Sequence, residues 1–154
     1  MIGFYINNKK YNNDIYSLAR AFYPYSNVEI FDLEKAKEDF DIVIRISLNK
    51  NDIEIDAFST LNTEKSMKKV YSAREKIDYT DKRYYRNSLK RLVYNSFNKI
   101  SKKDLSWGSL TGVRPSKIVL DRLENNKSKE DIISYMKEQY YCTDEKINLC
   151  IEIA

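Results

Sequence analysis

Residues 42–59 read Ile42-Val43-Ile44-Arg45-Ile46-Ser47-Leu48-Asn49-Lys50-Asn51-Asp52-Ile53-Glu54-Ile55-Asp56-Ala57-Phe58-Ser59. Ile42, Ile44 and Ile46 recur at a period of two, opposite Val43, Arg45 and Ser47. After the turn residues Asn49 to Asp52, the alternation resumes at Ile53, Ile55 and Ala57. Alternation at that period is the mark of strands with one buried face, and the polar break between two such runs predicts a β-hairpin. A weaker alternating stretch from Lys68 to Ala73 predicts a third antiparallel strand.

Working toward the N-terminus, residues 2–7 are β-branched or aromatic and read as a strand, and Val28 to Asp32 reads as a second short one. Between them Ile15, Leu18, Ala19 and Phe22 share a helical face, with Asn12 or Asn13 as the expected cap and Pro24 as the stop. Toward the C-terminus, Tyr85, Leu89, Leu92, Val93, Phe97 and Ile100 form a stripe at spacings of three and four, which predicts one long helix over 80–100. Arg83, Arg86, Lys90 and Lys99 are expected mostly off that stripe. Pro115 opens a helix running to about Glu124. Ser128, with Asp131 three residues on, caps another, and Thr143 caps a last one. Ile132, Ile133, Met136 and Tyr140 are the expected buried face of the first of these two, and Ile147, Leu149, Cys150 and Ile151 are the apolar residues of the second. The fold class expected is α+β: a mixed, mostly antiparallel sheet with one early helix, a long helix packed on it, and a C-terminal tail of three short helices. The expected division is an α/β domain over 1–103 and a loop with a helical segment over 104–154.

Composition narrows the chemistry. The 154 residues contain no histidine, two cysteines and three glycines. Ser-His-Asp and Cys-His catalysis and imidazole-bound zinc are therefore excluded, and neither a P-loop nor a glycine-rich dinucleotide turn can be built. Cys142 and Cys150, with seven residues between them, cannot fill a four-thiolate site. They read as helix-packing thiols, so catalytic and metal-ligating residues are expected to be none. No run approaches the ~20 apolar residues of a membrane span, and the start has no signal-peptide pattern, so the expected location is cytoplasmic.

The net charge of +4 is unevenly spread. Residues 65–103 hold 13 basic and 3 acidic side chains, while the segments on either side are net acidic. This block is either the solvated face of a helix or a surface for an anion. Interleaved with Tyr84, Tyr85, Tyr94 and Phe97, it also allows a nucleic-acid-binding module as the alternative reading.

Two of the three glycines, one of the two prolines and the only tryptophan fall within residues 107–115. A flexible loop feeding a helix N-terminus, with Thr111, Arg114 and Lys117 nearby, suits a carboxylate or phosphate. The same residue types also make a tight connection pinned by a buried Trp107.

Trp107-Gly108-Ser109-Leu110-Thr111-Gly112-Val113-Arg114-Pro115-Ser116-Lys117-Ile118 resembles the WG-x-LTG-[IV]-RP-[ST]-K-[IV] signature of oxygen-independent coproporphyrinogen III oxidase-like (coproporphyrinogen dehydrogenase) radical SAM proteins of the HemZ type. Leu89 to Tyr94, Glu130 to Ile133 and Asp144 to Leu149 resemble the flanking helices. The likeness is good over 80–154 and general before that. It implies an oxidoreductase of porphyrin and heme biosynthesis. Its radical SAM core carries a CxxxCxxC motif, binds a 4Fe–4S cluster and S-adenosylmethionine, and oxidatively decarboxylates propionate side chains. That motif is missing here. The resemblance thus implies the region ahead of the radical SAM core, cut just before it: an accessory domain with no cofactor of its own and the core domain as its partner in cis. Trp107, Thr111, Arg114 and Lys117 become the candidates for touching that core or an anionic tetrapyrrole.

Overall fold

The computed structural model describes residues 1–35, 39–61 and 66–154. The chain divides into two units, Met1–Lys103 and Asp104–Ala154.

The first unit is built on a five-stranded sheet. Its elements are β1 (Ile2–Ile6), α1 (Asn12–Phe22), β2 (Val28–Asp32), β3 (Ile42–Leu48), β4 (Asp52–Ser59), β5 (Lys68–Lys76) and α2 (Lys82–Ser101), with strand order β2-β1-β3-β4-β5. β3, β4 and β5 are the antiparallel run that the alternation predicts. β1 lies parallel between β2 and β3, in shorter ladders, so the sheet is mixed and antiparallel pairing predominates.

Register explains the core. Phe4 pairs with Ile30 and Ile44, Ile44 with Ala57, and Ile46 with Ile55, so every second residue of four strands lands on one face. Both helices cover that face. Ile15, Leu18, Ala19 and Phe22 of α1 are buried, as are all six stripe residues of α2. Phe97 meets Phe4 edge-on with ring centres 5.9 Å apart and stacks on Phe22 at 5.4 Å. Each such side chain contributes about 1.5–3 kcal/mol by leaving water. On the opposite face Tyr5, Phe40 and Val43 form a smaller cluster, bordered by Phe31, Leu33 and Phe58. Gly3 lets the Phe40 ring come close against β1, since a Cβ there would sit 2.6 Å from that ring.

Two expectations for this unit are corrected. Neither Asn12 nor Asn13 caps α1. A 3-10 turn, Lys9–Tyr11, leads into the helix, and Asn8 caps that turn by accepting from the Lys10 amide at 3.0 Å. The Asn12 amide at the start of α1 donates to the Lys9 carbonyl of that turn, so the preceding backbone takes the place of a side-chain cap. Lys90 does not lie off the buried face. It is only 6% exposed, because α2 packs against α1 as well as the sheet.

The second unit is a loop followed by α3 (Pro115–Glu124), α4 (Lys129–Tyr140) and α5 (Asp144–Ile153). Ser128 Oγ accepts from the Asp131 amide at 3.1 Å and Thr143 Oγ1 from the Lys146 amide at 3.4 Å, the two caps read from the sequence. Leu110, Val119, Ile132, Met136, Tyr140, Cys142, Ile147 and Cys150 make its core. Ile133 and Ile151 are half-buried against it, and Leu149, one of the apolar residues of α5, is exposed. Consecutive positions of a helix point about 100° apart, so Leu149 turns outward once Cys150 turns in. Five helices around and after a mixed five-stranded sheet make the architecture α+β, as expected.

Candidate functional site

The loop before α3 has two differently built halves. In the inner half, Leu105 to Leu110, the backbone is tied down at both ends. Gly108 donates to the Leu105 carbonyl at 2.9 Å and Leu110 to the Trp107 carbonyl at 3.1 Å. Ser109 donates through its amide (2.7 Å) and its hydroxyl (3.2 Å) to the Tyr140 carbonyl, one of the acceptors left over at the end of α4. Thr143 donates back to the Ser106 carbonyl at 3.1 Å. Gly108 has φ +59°, and a Cβ on it would lie 1.9 Å from the Tyr140 oxygen, so only glycine fits. Trp107 packs its half-buried ring against the core, with Lys146 Nζ 5.4 Å from the ring centre. Cys142 donates its Sγ hydrogen to the Trp107 carbonyl at 3.4 Å. Burial pushes the Cys142 thiol up to about 12, and burial also raises Cys150, so both stay protonated and unreactive.

The outer half, Thr111 to Lys117, is open. Gly112 has φ +75°, but nothing lies within 4 Å of where its Cβ would be. Val113 is 51% exposed, and Arg114 and Lys117 are exposed too. Arg114 occupies the N-cap of α3 with extended backbone and no side-chain cap, and Pro115 begins the helix. The Lys117 amide donates to the Arg114 carbonyl at 3.1 Å, so the two cations share the first turn. Neither makes an ion pair among the described residues. A helix N-terminus with two free cations attracts anions through both the macrodipole and direct charge.

Of the four candidates, Trp107 thus sits in the tied half with its ring on the core. Thr111, half-buried, and the exposed Arg114 and Lys117 belong to the open half. The loop is both things its residue types allow, a pinned connection and an open cationic turn, in different places.

The basic block of the first unit is less available than its charge suggests. Arg74 pairs with Asp52 (2.6 Å from Nε), Arg86 with Asp14 (3.3 Å), Arg91 with Glu75 (3.2 Å) and Lys69 with Asp56 (3.5 Å). Tyr85, Tyr94 and Phe97 are buried in the core, leaving Tyr84 alone of those four aromatic residues exposed to stack on a base. A feature that sequence reading missed is a cleft beside the end of β1, lined by Lys9, Asn12, Asp32 and Lys35 among others. Its signal was a strand ending in Asn7-Asn8-Lys9-Lys10 just before a helix, a strand-to-helix turn read only as polar.

Among the described residues no three Cys, Asp or Glu side chains gather where a metal ion could bind, and no helix is long and apolar enough to cross a membrane. A curated protein aligns with residues along almost all of this chain, at 25% identity over 151 residues. It is the oxygen-independent coproporphyrinogen-III oxidase-like protein HemZ of Bacillus subtilis (strain 168). The alignment covers 96% of this chain but 29% of HemZ, so the chain spans less than a third of that relative's length. No family model and no solved structure matches the chain.

Proposed function

We propose that these residues form a non-catalytic, N-terminal accessory region of an oxygen-independent coproporphyrinogen III oxidase-like protein, acting with a radical SAM domain carried on the same polypeptide. The observation that carries this reading is the asymmetry of the alignment with HemZ, nearly complete for this chain and under a third for the relative. A 4Fe–4S cluster and S-adenosylmethionine belong, on this reading, to the other domain. The thiols here do not fit a cluster: there are two, both buried, with Cys142 pushed up to about 12.

The open half of the 105–117 loop is the part we assign to contact, either with that domain or with a carboxylate of a tetrapyrrole. Arg114 and Lys117 supply two cations on one helix turn, which matches a propionate group. In the longer protein, replacing both with alanine should raise KM for coproporphyrinogen III by roughly tenfold, the cost of losing one or two charge-assisted hydrogen bonds, while kcat changes little. Unchanged steady-state kinetics in a correctly folded double variant would overturn the substrate contact.

A further inference from the structure

Beyond the end of β5, several segments of the first unit are tied to one another. The Tyr79 amide donates to the Lys50 carbonyl at 2.8 Å and the Ile77 amide to the Asn51 carbonyl at 3.0 Å, so the 77–81 connection lies against the β3–β4 turn. The Tyr85 hydroxyl donates to the Asn49 carbonyl at 2.8 Å, which brings the first turns of α2 to the same place. The 3-10 turn joins them: the Tyr11 and Tyr85 ring centres are 6.1 Å apart, and Lys10 Nζ lies 5.7 Å from the Tyr11 ring centre. Lys9, Lys10, Lys50, Lys76, Lys82 and Arg83 are therefore carried to one end of the unit. All six are exposed, and none has an ion pair among the described residues.

The acidic groups of this end are mostly engaged. Asp14 pairs with Arg86 at 3.3 Å, Asp52 and Glu54 share Arg74, and Asp78 accepts from the Thr80 amide at 2.8 Å and hydroxyl at 2.7 Å. Six free cations thus face Asp78, Asp81 and the one carboxylate that Arg74 leaves over, a balance of about +3. Lys99 and Lys102, also free, lie at the far end of the 20-residue α2, about 30 Å away, where they offset the negative end of its macrodipole. The near end has no such account. The first turn of α2 holds no acidic residue and no side-chain cap, and Lys82 and Arg83 sit where the macrodipole is already positive. A bound anion relieves that repulsion.

The next residue is Tyr84, 38% exposed on the turn that carries Lys82 and Arg83. We propose that this end of the first unit binds a single strand of nucleic acid, its phosphates held by the free cations and one base stacked on Tyr84. Cations spread over three turns and a helix start suit a chain of phosphates rather than one small anion. An exposed ring beside them suits an unpaired base, whose face is open, whereas an acidic polypeptide offers no such ring. The surface is separate from the 105–117 loop and does not depend on the function assigned to it.

The test is fluorescence anisotropy of end-labelled oligouridine and oligothymidine strands, about ten nucleotides long, titrated with the 154-residue chain. At 50 mM salt the tighter of the two should bind with Kd near ~10 μM, which also identifies the strand as RNA or DNA. Doubling the salt should weaken it roughly sevenfold if about four phosphates are neutralised. Lys82→Ala combined with Arg83→Ala should cost at least about fivefold and flatten the salt dependence. Tyr84→Ala should cost about fivefold with the salt dependence unchanged, and Tyr84→Phe should bind as the native chain does. Lys99→Ala combined with Lys102→Ala should change nothing. The proposal is overturned if no strand binds saturably, if a duplex of the same length or polyglutamate competes as well as the unlabelled strand, if Tyr84→Ala binds normally, or if the Lys99 and Lys102 pair matters as much as Lys82 and Arg83.

Discussion

Gly108 and Gly112 stand four positions apart in one loop, both at positive φ, and they do different work. At Gly108 the neighbouring backbone closes in until no side-chain atom fits, and the tie to the end of α4 holds the second unit together. At Gly112 the same left-handed backbone faces empty space. Close approach at one glycine and openness at the other separate a half-loop that serves folding from a half-loop that can serve contact. Sequence alone cannot tell two such glycines apart, because each merely permits an unusual backbone angle.

The sharpest way to break this contrast is Gly108→Ala. The added Cβ overlaps the Tyr140 carbonyl, and the left-handed backbone adds strain, so the variant should lose more than about 3 kcal/mol of stability. Trp107 is the only tryptophan and lies in the same half-loop, so its fluorescence reports the loss directly in a denaturant titration. A change under half that size would mean that the inner half is not tied as described.

Next comes a dependence on pH. The Cys142 thiol is held from its ordinary value of 9.0 up to about 12 by burial, so above pH 9 the unfolded chain releases a proton that the folded chain retains. This thiol's contribution to stability is fully present below pH 9 and declines by about 1.4 kcal/mol per pH unit from there toward about 12. Denaturant midpoints should drop across this window in the native chain, and the slope should be shallower in Cys142→Ala. Equal slopes would show that the thiol is not buried against Trp107.

Gly112→Ala should cost only about 1 kcal/mol, the strain of a left-handed alanine with nothing to collide with. The smallest effect belongs to Arg114→Ala combined with Lys117→Ala, which should leave the stability of this chain within ~0.5 kcal/mol, since both side chains are exposed. A thermal melt reads both. A larger loss in the double variant would place these cations in the fold rather than on its surface.

How much of this was legible beforehand depended on the range of the interactions. The β3–β4 hairpin, the six-residue stripe of α2 and the Ser128 and Thr143 caps are local patterns, and each is found where the residues predicted it. The parallel placement of β1 between β2 and β3 carries no local signal, because a short strand flanked by both neighbours has no polar face to alternate. Lys90 was misread for a related reason: its position beside α1 depends on how two helices meet, not on its own helix. In the loop, the residue types single out a dozen positions, but their division into a tied and an open half rests on the Tyr140 carbonyl, some 30 residues away in sequence. The cleft at the end of β1 needs β2 to exist.

Amide hydrogen exchange offers the most direct test of the proposed role. The rates at 111–117 should be compared between this chain alone and the longer polypeptide that joins it to a radical SAM domain. Slowed exchange across 111–117, with 105–110 already protected in both, is the result the account requires. Identical rates at 111–117 in the two proteins would contradict it.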